Sequence, residues 1–215
     1  QPLRLGLLSA AYPPDQYEGV GRLTNLMAQG LFEIGHTVHV ITRGQQDTVS
    51  FYDGAYVHKI PLPNRYGRYR MFPKLYHTLN HSHAAHDKIR RLILNDGIQI
   101  VDSPLWQYDG LVTAVSGDIP VVVRLVTALR QIAALQEDIE ADARLVGEME
   151  QTLLEKASFL LPNTQATLDT ARKVYGIDPT PERYRIVPYG IVPVAGELVR
   201  PFNPMPPVTN WNSAP

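Results

Sequence analysis

The chain has 215 residues and a formal net charge of −1, so the strong basic excess of a broad nucleic-acid footprint is absent. It has no cysteine, which excludes a disulfide framework and a thiolate zinc site. Apolar residues make up 44% and charged residues 19%, the balance of a globular chain that can bury one core. No apolar run reaches bilayer-spanning length and the first residues hold no signal-peptide core, so the expectation is a cytoplasmic domain.

Leu3 to Ser9 is an apolar, turn-bounded run and predicts a buried strand. A long loop follows, Ala10 to Arg22, and then a helix. Val20, Leu23, Met27, Leu31 and Ile34 recur at three- and four-residue intervals, and Gly35 stands where a left-handed cap is expected. Strand, loop, Gly19 and Gly21, and a helix N-terminus together make an anion site in principle, because bare N–H groups and the helix dipole favour phosphate. The spacing is not Gly-x-Gly-x-x-Gly, since position 24 is Thr24. A plain loop with turn glycines accounts for these residues equally well.

Val38 to Thr42 predicts a second strand and Tyr56 to Ile60 a third. Residues 61–73 are irregular, and a polar helix is expected from Lys74 to Asn95, closed by Asp96-Gly97. Ile98 to Val101 predicts a strand, Tyr108 to Ser116 a helix, and Pro120 to Val126 a strongly β-branched strand. Leu135, Ile139, Val146, Met149 and Leu153 form the stripe of a long amphipathic helix. Ser158 to Leu161, Gln165 to Tyr175 and Arg185 to Val187 complete the series as strand, helix and strand. Strands alternating with helices predict an α/β fold, a Rossmann-like, doubly wound and mostly parallel sheet with helices on both faces. Residues 1–192 are read as that domain. Residues 193–215, with Pro201, Pro204, Pro206, Pro207 and Pro215, are read as a linker or tail.

Five segments resemble one family in order and spacing. They are Leu3 to Ser9, Glu18-Gly19-Val20-Gly21-Arg22 with Glu33 to Val40, Val101 to Trp106 with Ile119 to Leu125, Ala157 to Thr164, and Val187-Pro188-Tyr189-Gly190-Ile191. Together they resemble the N-terminal, acceptor-side domain of the GT-B retaining glycosyltransferases of family 4. The resemblance implies transfer from a nucleotide-sugar to a saccharide or lipid-linked acceptor, without metal or other cofactor. It also implies a second domain that holds most of the donor, so the expectation is that this chain alone is inactive.

In the resembling enzymes the glycine loop closes on the donor diphosphate, which assigns Gly19, Val20, Gly21 and Arg22 to the donor phosphate. Val126 occupies the place of a family histidine and can neither hydrogen-bond a hydroxyl nor share a proton. The catalytic residue is therefore unassigned, with Thr127 or Arg130 the available neighbours. Acceptor contacts are expected from Trp106, Tyr108, Thr127, Arg130 and Arg68, the last in a basic and aromatic stretch suited to an acidic or lipid-linked acceptor and to peripheral contact at the inner membrane face. For that stretch a solvated loop is the competing reading, and for Trp106 and Tyr108 a rim aromatic packed on the core. His77, His81, His83 and His86 lack the glutamate of a zinc motif and read as a polar surface helix. Two other functions fit the residues: a non-catalytic carbohydrate- or partner-binding module, and a small-molecule enzyme on an unrelated doubly wound fold. Continuation of the open reading frame into another βαβ domain would favour the transferase.

Overall fold

A computed structural model describes residues 1–16, 19–63, 72–126, 130 and 141–190. Its centre is a seven-stranded sheet. In chain order the strands are β1 (Arg4–Leu8), β2 (Thr37–Arg43), β3 (Thr48–Tyr52), β4 (Ala55–Ile60), β5 (Ile100–Pro104), β6 (Val121–Leu125) and β7 (Phe159–Pro162). They lie in the spatial order β3-β4-β2-β1-β5-β6-β7. All neighbours pair in parallel except β3 with β4. The helices are α1 (Gly19–Glu33), α2 (Pro73–Asp96), α3 (Leu111–Ser116), α4 (Ala141–Lys156) and α5 (Gln165–Tyr175), with a short 3-10 turn at Trp106–Tyr108.

Successive strand residues point to opposite faces, so β1, β2 and β4 each feed two cores. Leu7, Val38, Val40, Ala55 and Val57 pack with Ala28 of α1 on one side. Leu8, Ile41, Val101, Val121, Val123 and Leu160 pack with residues of α2, α3, α4 and α5 on the other. This is the Rossmann-like, mostly parallel sheet that the alternating pattern predicts.

Several boundaries differ from expectation for physical reasons. Strand β5 runs on through Asp102 and Ser103, which are polar yet buried because Asp102 pairs with Arg124 and Ser103 Oγ accepts from Gly110 N. Strand β3 is an addition: its side chains are mostly exposed, so it offers no apolar run, and Asp53 and Gly54 turn it back with φ of 45° and 83°. Arg185 to Val187 is not a strand of the sheet. It runs extended along β7, donating from Arg185 N to Leu160 O and from Val187 N to Pro162 O. The expected helix from Tyr108 divides into the 3-10 turn and α3. The stripe residues Leu135 and Ile139, and the tail 193–215, lie outside the described residues.

Helix α1 turns the expectation around. The face it lays on the sheet is Gly21, Thr24, Asn25 and Ala28, small or polar, whereas Ile34 is 71% exposed. Thr24 and Asn25 are buried because they have buried partners: Thr24 Oγ1 accepts from Arg124, and Asn25 Oδ1 accepts from the Tyr12 hydroxyl. The apolar residues Leu23, Leu26 and Met27 instead line a groove of about 410 Å³ with Leu161, Val187 and Tyr189. Helix α2 likewise buries Thr78, Asn80, His81 and Ser82, so it is not the polar surface helix that its composition suggests.

Two buried histidines tie β2 to β4. His39 Nδ1 and His58 Nε2 are 3.0 Å apart and share one hydrogen bond, in which one nitrogen carries the proton and the other accepts it. Burial, with His39 beside it, lowers His58 to about 4, and burial lowers His39 as well. An unfolded histidine titrates near 6.5, so the unfolded chain binds protons first as the pH falls. Stability is therefore complete above about pH 6.5 and is lost as the pH drops toward 4. Denaturant titrations from pH 7 down to about 5, above the carboxylate range, should show this loss and a shallower slope in His58→Gln. Equal slopes in the two proteins would contradict it.

Candidate functional site

The carboxyl ends of β1, β2, β5, β6 and β7 share one edge of the sheet, where open α/β sheets bind ligands. Two cavities open there. The first, about 420 Å³, is lined by Ala10, Ala11, Tyr12, Asp15, Gln16, Val20, Gly21, Thr42, Arg43, Pro104, Trp106, Gln107 and Asp109. The second, about 570 Å³, is lined on one side by Gly19, Val20 and Leu23 and on the other by Val126, Asn163, Thr167, Thr170 and Tyr189. The first turn of α1 separates them.

Two glycines hold that turn in different ways. Gly19 has φ of +49° and open space around it, so its requirement is conformational. At Gly21 a β-carbon would stand 2.6 Å from the carbonyl oxygen of Ala11, so its requirement is close approach. The loop after β1 thus lies against the start of α1, with Ser9 Oγ donating to Ala11 O at 2.6 Å.

The floor of the first cavity is a charged cluster that joins β2, α2 and the loop after β5. Asp109 is fully buried, accepts from Arg43 Nη2 at 3.2 Å, and has His81 Nε2 at 3.7 Å. Burial lowers His81 to about 4 although Asp109 opposes the shift, which leaves the imidazole neutral at pH 7. The backbone leading to Asp109 is bent: Gln107 and Tyr108 have φ of 61° and 38°, a region that side chains rarely adopt. Tyr108, fully buried with its hydroxyl donated to Leu75 O at 3.2 Å, anchors the bend, and Trp106 and Gln107 line the cavity.

The expected site residues divide accordingly. Gly19, Val20, Gly21, Trp106 and Val126 meet at the two cavities. Tyr108 lines neither; its ring is core, the rim-aromatic reading carried further inward. Arg130 is held between helices, bonded to Gln151 Oε1 at 2.9 Å and to Glu148, with its guanidinium 5.1 Å from the Tyr175 ring centre. Arg22 is exposed on α1 and lines neither cavity. Thr127 and Arg68 lie outside the described residues. Thr42, Arg43, Asp109 and Thr167 were not expected. The available signal was a basic residue closing the apolar run of β2, at a strand end the sequence did not mark as a ligand loop.

Among the described residues, no three His, Cys, Asp or Glu side chains gather to hold a metal ion. No described helix is long and apolar enough to cross a membrane.

Residues 17–193 match the model of Glycosyltransferase Family 4. The chain belongs to glycosyltransferase family 4. Solved structures place the fold of this family 4 chain in the same company. It superimposes on sucrose-phosphate synthase from Thermosynechococcus elongatus with a TM-score of 0.63 at 13% identity, covering 86% of this chain and 48% of that one. For a UDP-glucosyltransferase from Polygonum tinctorium the TM-score is 0.55 at 13% identity, with 94% and 56% covered. The catalytic domain of starch synthase IV from Arabidopsis thaliana, bound to ADP and acarbose, gives 0.52 at 14% identity, with 89% and 52% covered. At such identities the likeness is one of fold, that of one half of a GT-B enzyme. The family 4 chain spans about half the length of these three structures. No curated protein sequence matches it significantly.

Proposed function

We propose that this chain is the acceptor-side half of an enzyme that transfers a sugar, with retention, from a nucleotide-sugar to a saccharide or lipid-linked acceptor. The observation that carries the proposal is the pair of cavities divided by the first turn of α1 on the ligand-binding edge of a family 4 domain. The Gly19–Arg22 turn is read as the wall that meets the donor diphosphate, its amides stabilising the leaving group. The first cavity is read as the acceptor side, with Trp106 as a surface for a sugar ring. Most of the donor is assigned to the other half of the enzyme, and neither metal nor cofactor is invoked.

Val126 favours a second reading. It lines the second cavity where the family resemblance implies a histidine, so a module that binds sugar without transferring it fits the same surface. Turnover separates the two. The intact protein, offered nucleotide-sugars with a mixed acceptor pool, should release nucleoside diphosphate and add one glycosyl unit to an acceptor, read by mass spectrometry. Binding without donor consumption would select the module.

A further inference from the structure

The turn that walls the first cavity has a backbone shape that it would not keep alone. Gln107 and Tyr108, with φ of 61° and 38°, are consecutive non-glycine residues in the left-handed region. Such residues persist where surrounding contacts over-determine them. After the turn, Asp109 is tied to Arg43, and Gly110 N donates to Ser103 Oγ at 3.0 Å. The middle of the turn is held through the Tyr108 side chain, whose hydroxyl donates to Leu75 O in the first turn of α2 at 3.2 Å.

That first turn of α2 is itself held from another helix. Phe72, at the N-cap position, makes no side-chain cap, so the opening amides of α2 need another acceptor. Asp142 supplies it from the start of α4. Lys74 N donates to Asp142 Oδ2 at 2.8 Å and Leu75 N donates to Oδ1 at 2.9 Å, across 68 and 67 positions of sequence. Both carboxylate oxygens are used, the helix dipole favours their charge, and the side chain is 5% exposed. Leu75 is therefore a link: Asp142 fixes its amide, and its carbonyl fixes Tyr108.

We infer that Asp142 is a positioning residue for the first cavity: through the opening turn of α2 and the Tyr108 hydroxyl it holds the Trp106 and Gln107 wall in place. That this wall receives an acceptor rests on the glycosyl-transfer reading. The position of the wall does not, and it is measured without ligand.

The test is fluorine NMR of the intact protein labelled with fluorotryptophan, in which the Trp106 resonance is the one lost in Trp106→Phe. Asp142→Ala should move that resonance by more than its linewidth. Tyr108→Phe keeps the ring in the core and removes only the hydroxyl, and it should move the resonance in the same direction. The double variant should move it no further than the larger single change, because the two residues act in series. Asp142→Asn keeps one accepting oxygen and should move it less. His58→Gln, on β4, is the control for altered stability alone and should leave it unmoved at neutral pH. Asp142→Ala and Tyr108→Phe should also raise the acceptor-pool concentration for half-maximal rate about 10-fold, the worth of one aromatic contact, with donor half-saturation unchanged. An unmoved Trp106 resonance in the folded variants, additive displacements in the double variant, or an unchanged acceptor half-saturation would each overturn the inference. Moved resonances in a protein whose wild type turns over no donor would overturn the transfer reading and leave the role of Asp142 standing.

Discussion

Gly21→Ala is expected to destabilise the protein by about 1–3 kcal/mol, the usual range for forcing a methyl group into packed surroundings. It should also lower nucleotide-sugar turnover by about 100-fold, the loss that follows when a catalytic wall is displaced by an ångström or so. The cause is local. The new methyl would stand 2.6 Å from the Ala11 carbonyl oxygen and 3.0 Å from its carbon, and both are backbone atoms that cannot swing aside. Either the loop after β1 or the first turn of α1 has to move, and the cavity between them changes shape. Gly19→Ala should differ in kind. Nothing lies within 4 Å of the site, so it carries only the cost of a left-handed alanine, about 1–2 kcal/mol, and a smaller loss of turnover. Urea denaturation and initial rates for both variants check this. A Gly21→Ala protein with wild-type stability and rate would show that the close approach does not matter.

The second large effect is in the core. Arg124 on β6 is 2% exposed, donates from Nε to Asp102 at 2.6 Å and from Nη2 to Thr24 at 3.0 Å, and so joins two strands to α1. Burial pushes the Asp102 carboxyl upward and Arg124 opposes the shift, so the arginine is what makes a buried carboxylate tolerable. Arg124→Met leaves that group without its partner and should destabilise the protein by about 3–5 kcal/mol, lowering Tm by roughly 6–20 °C. The double variant Arg124→Met, Asp102→Leu removes both charges and should recover much of the loss. Calorimetry on the two proteins decides it. A double variant no more stable than Arg124→Met would mean that the arginine acts through packing and not through the pair.

The same two residues show why parts of the fold were hidden in the sequence. Strand β5 reads as ending at Val101 because Asp102 and Ser103 look like loop, and only their partners Arg124 and Gly110, brought in by the register of β5 on β6, make them strand. The parallel sheet and the order of elements were legible because they depend on local periodicity and punctuation, which one chain carries in full. Helix α1 was legible as a helix but not as to which face it buries, since burial there follows hydrogen-bond partners on β6 and in the loop after β1. Of the candidate site, the glycine turn and Trp106 stood out because glycine and tryptophan are conspicuous at strand ends. Arg43 and Asp109 did not. They lie 66 positions apart, and each alone resembles an ordinary solvated charge. Arg130 shows the converse: the sequence offers it as a ligand contact, and the structure engages it with residues of α4 and α5.

The most direct measurement is proton NMR of the anomeric region while the intact protein consumes a nucleotide-sugar in the presence of a mixed acceptor pool. The donor anomeric signal should decline as a new glycoside signal with the same anomeric configuration grows. An inverted product, or a donor left intact across the common nucleotide-sugars while the protein remains folded, would contradict it.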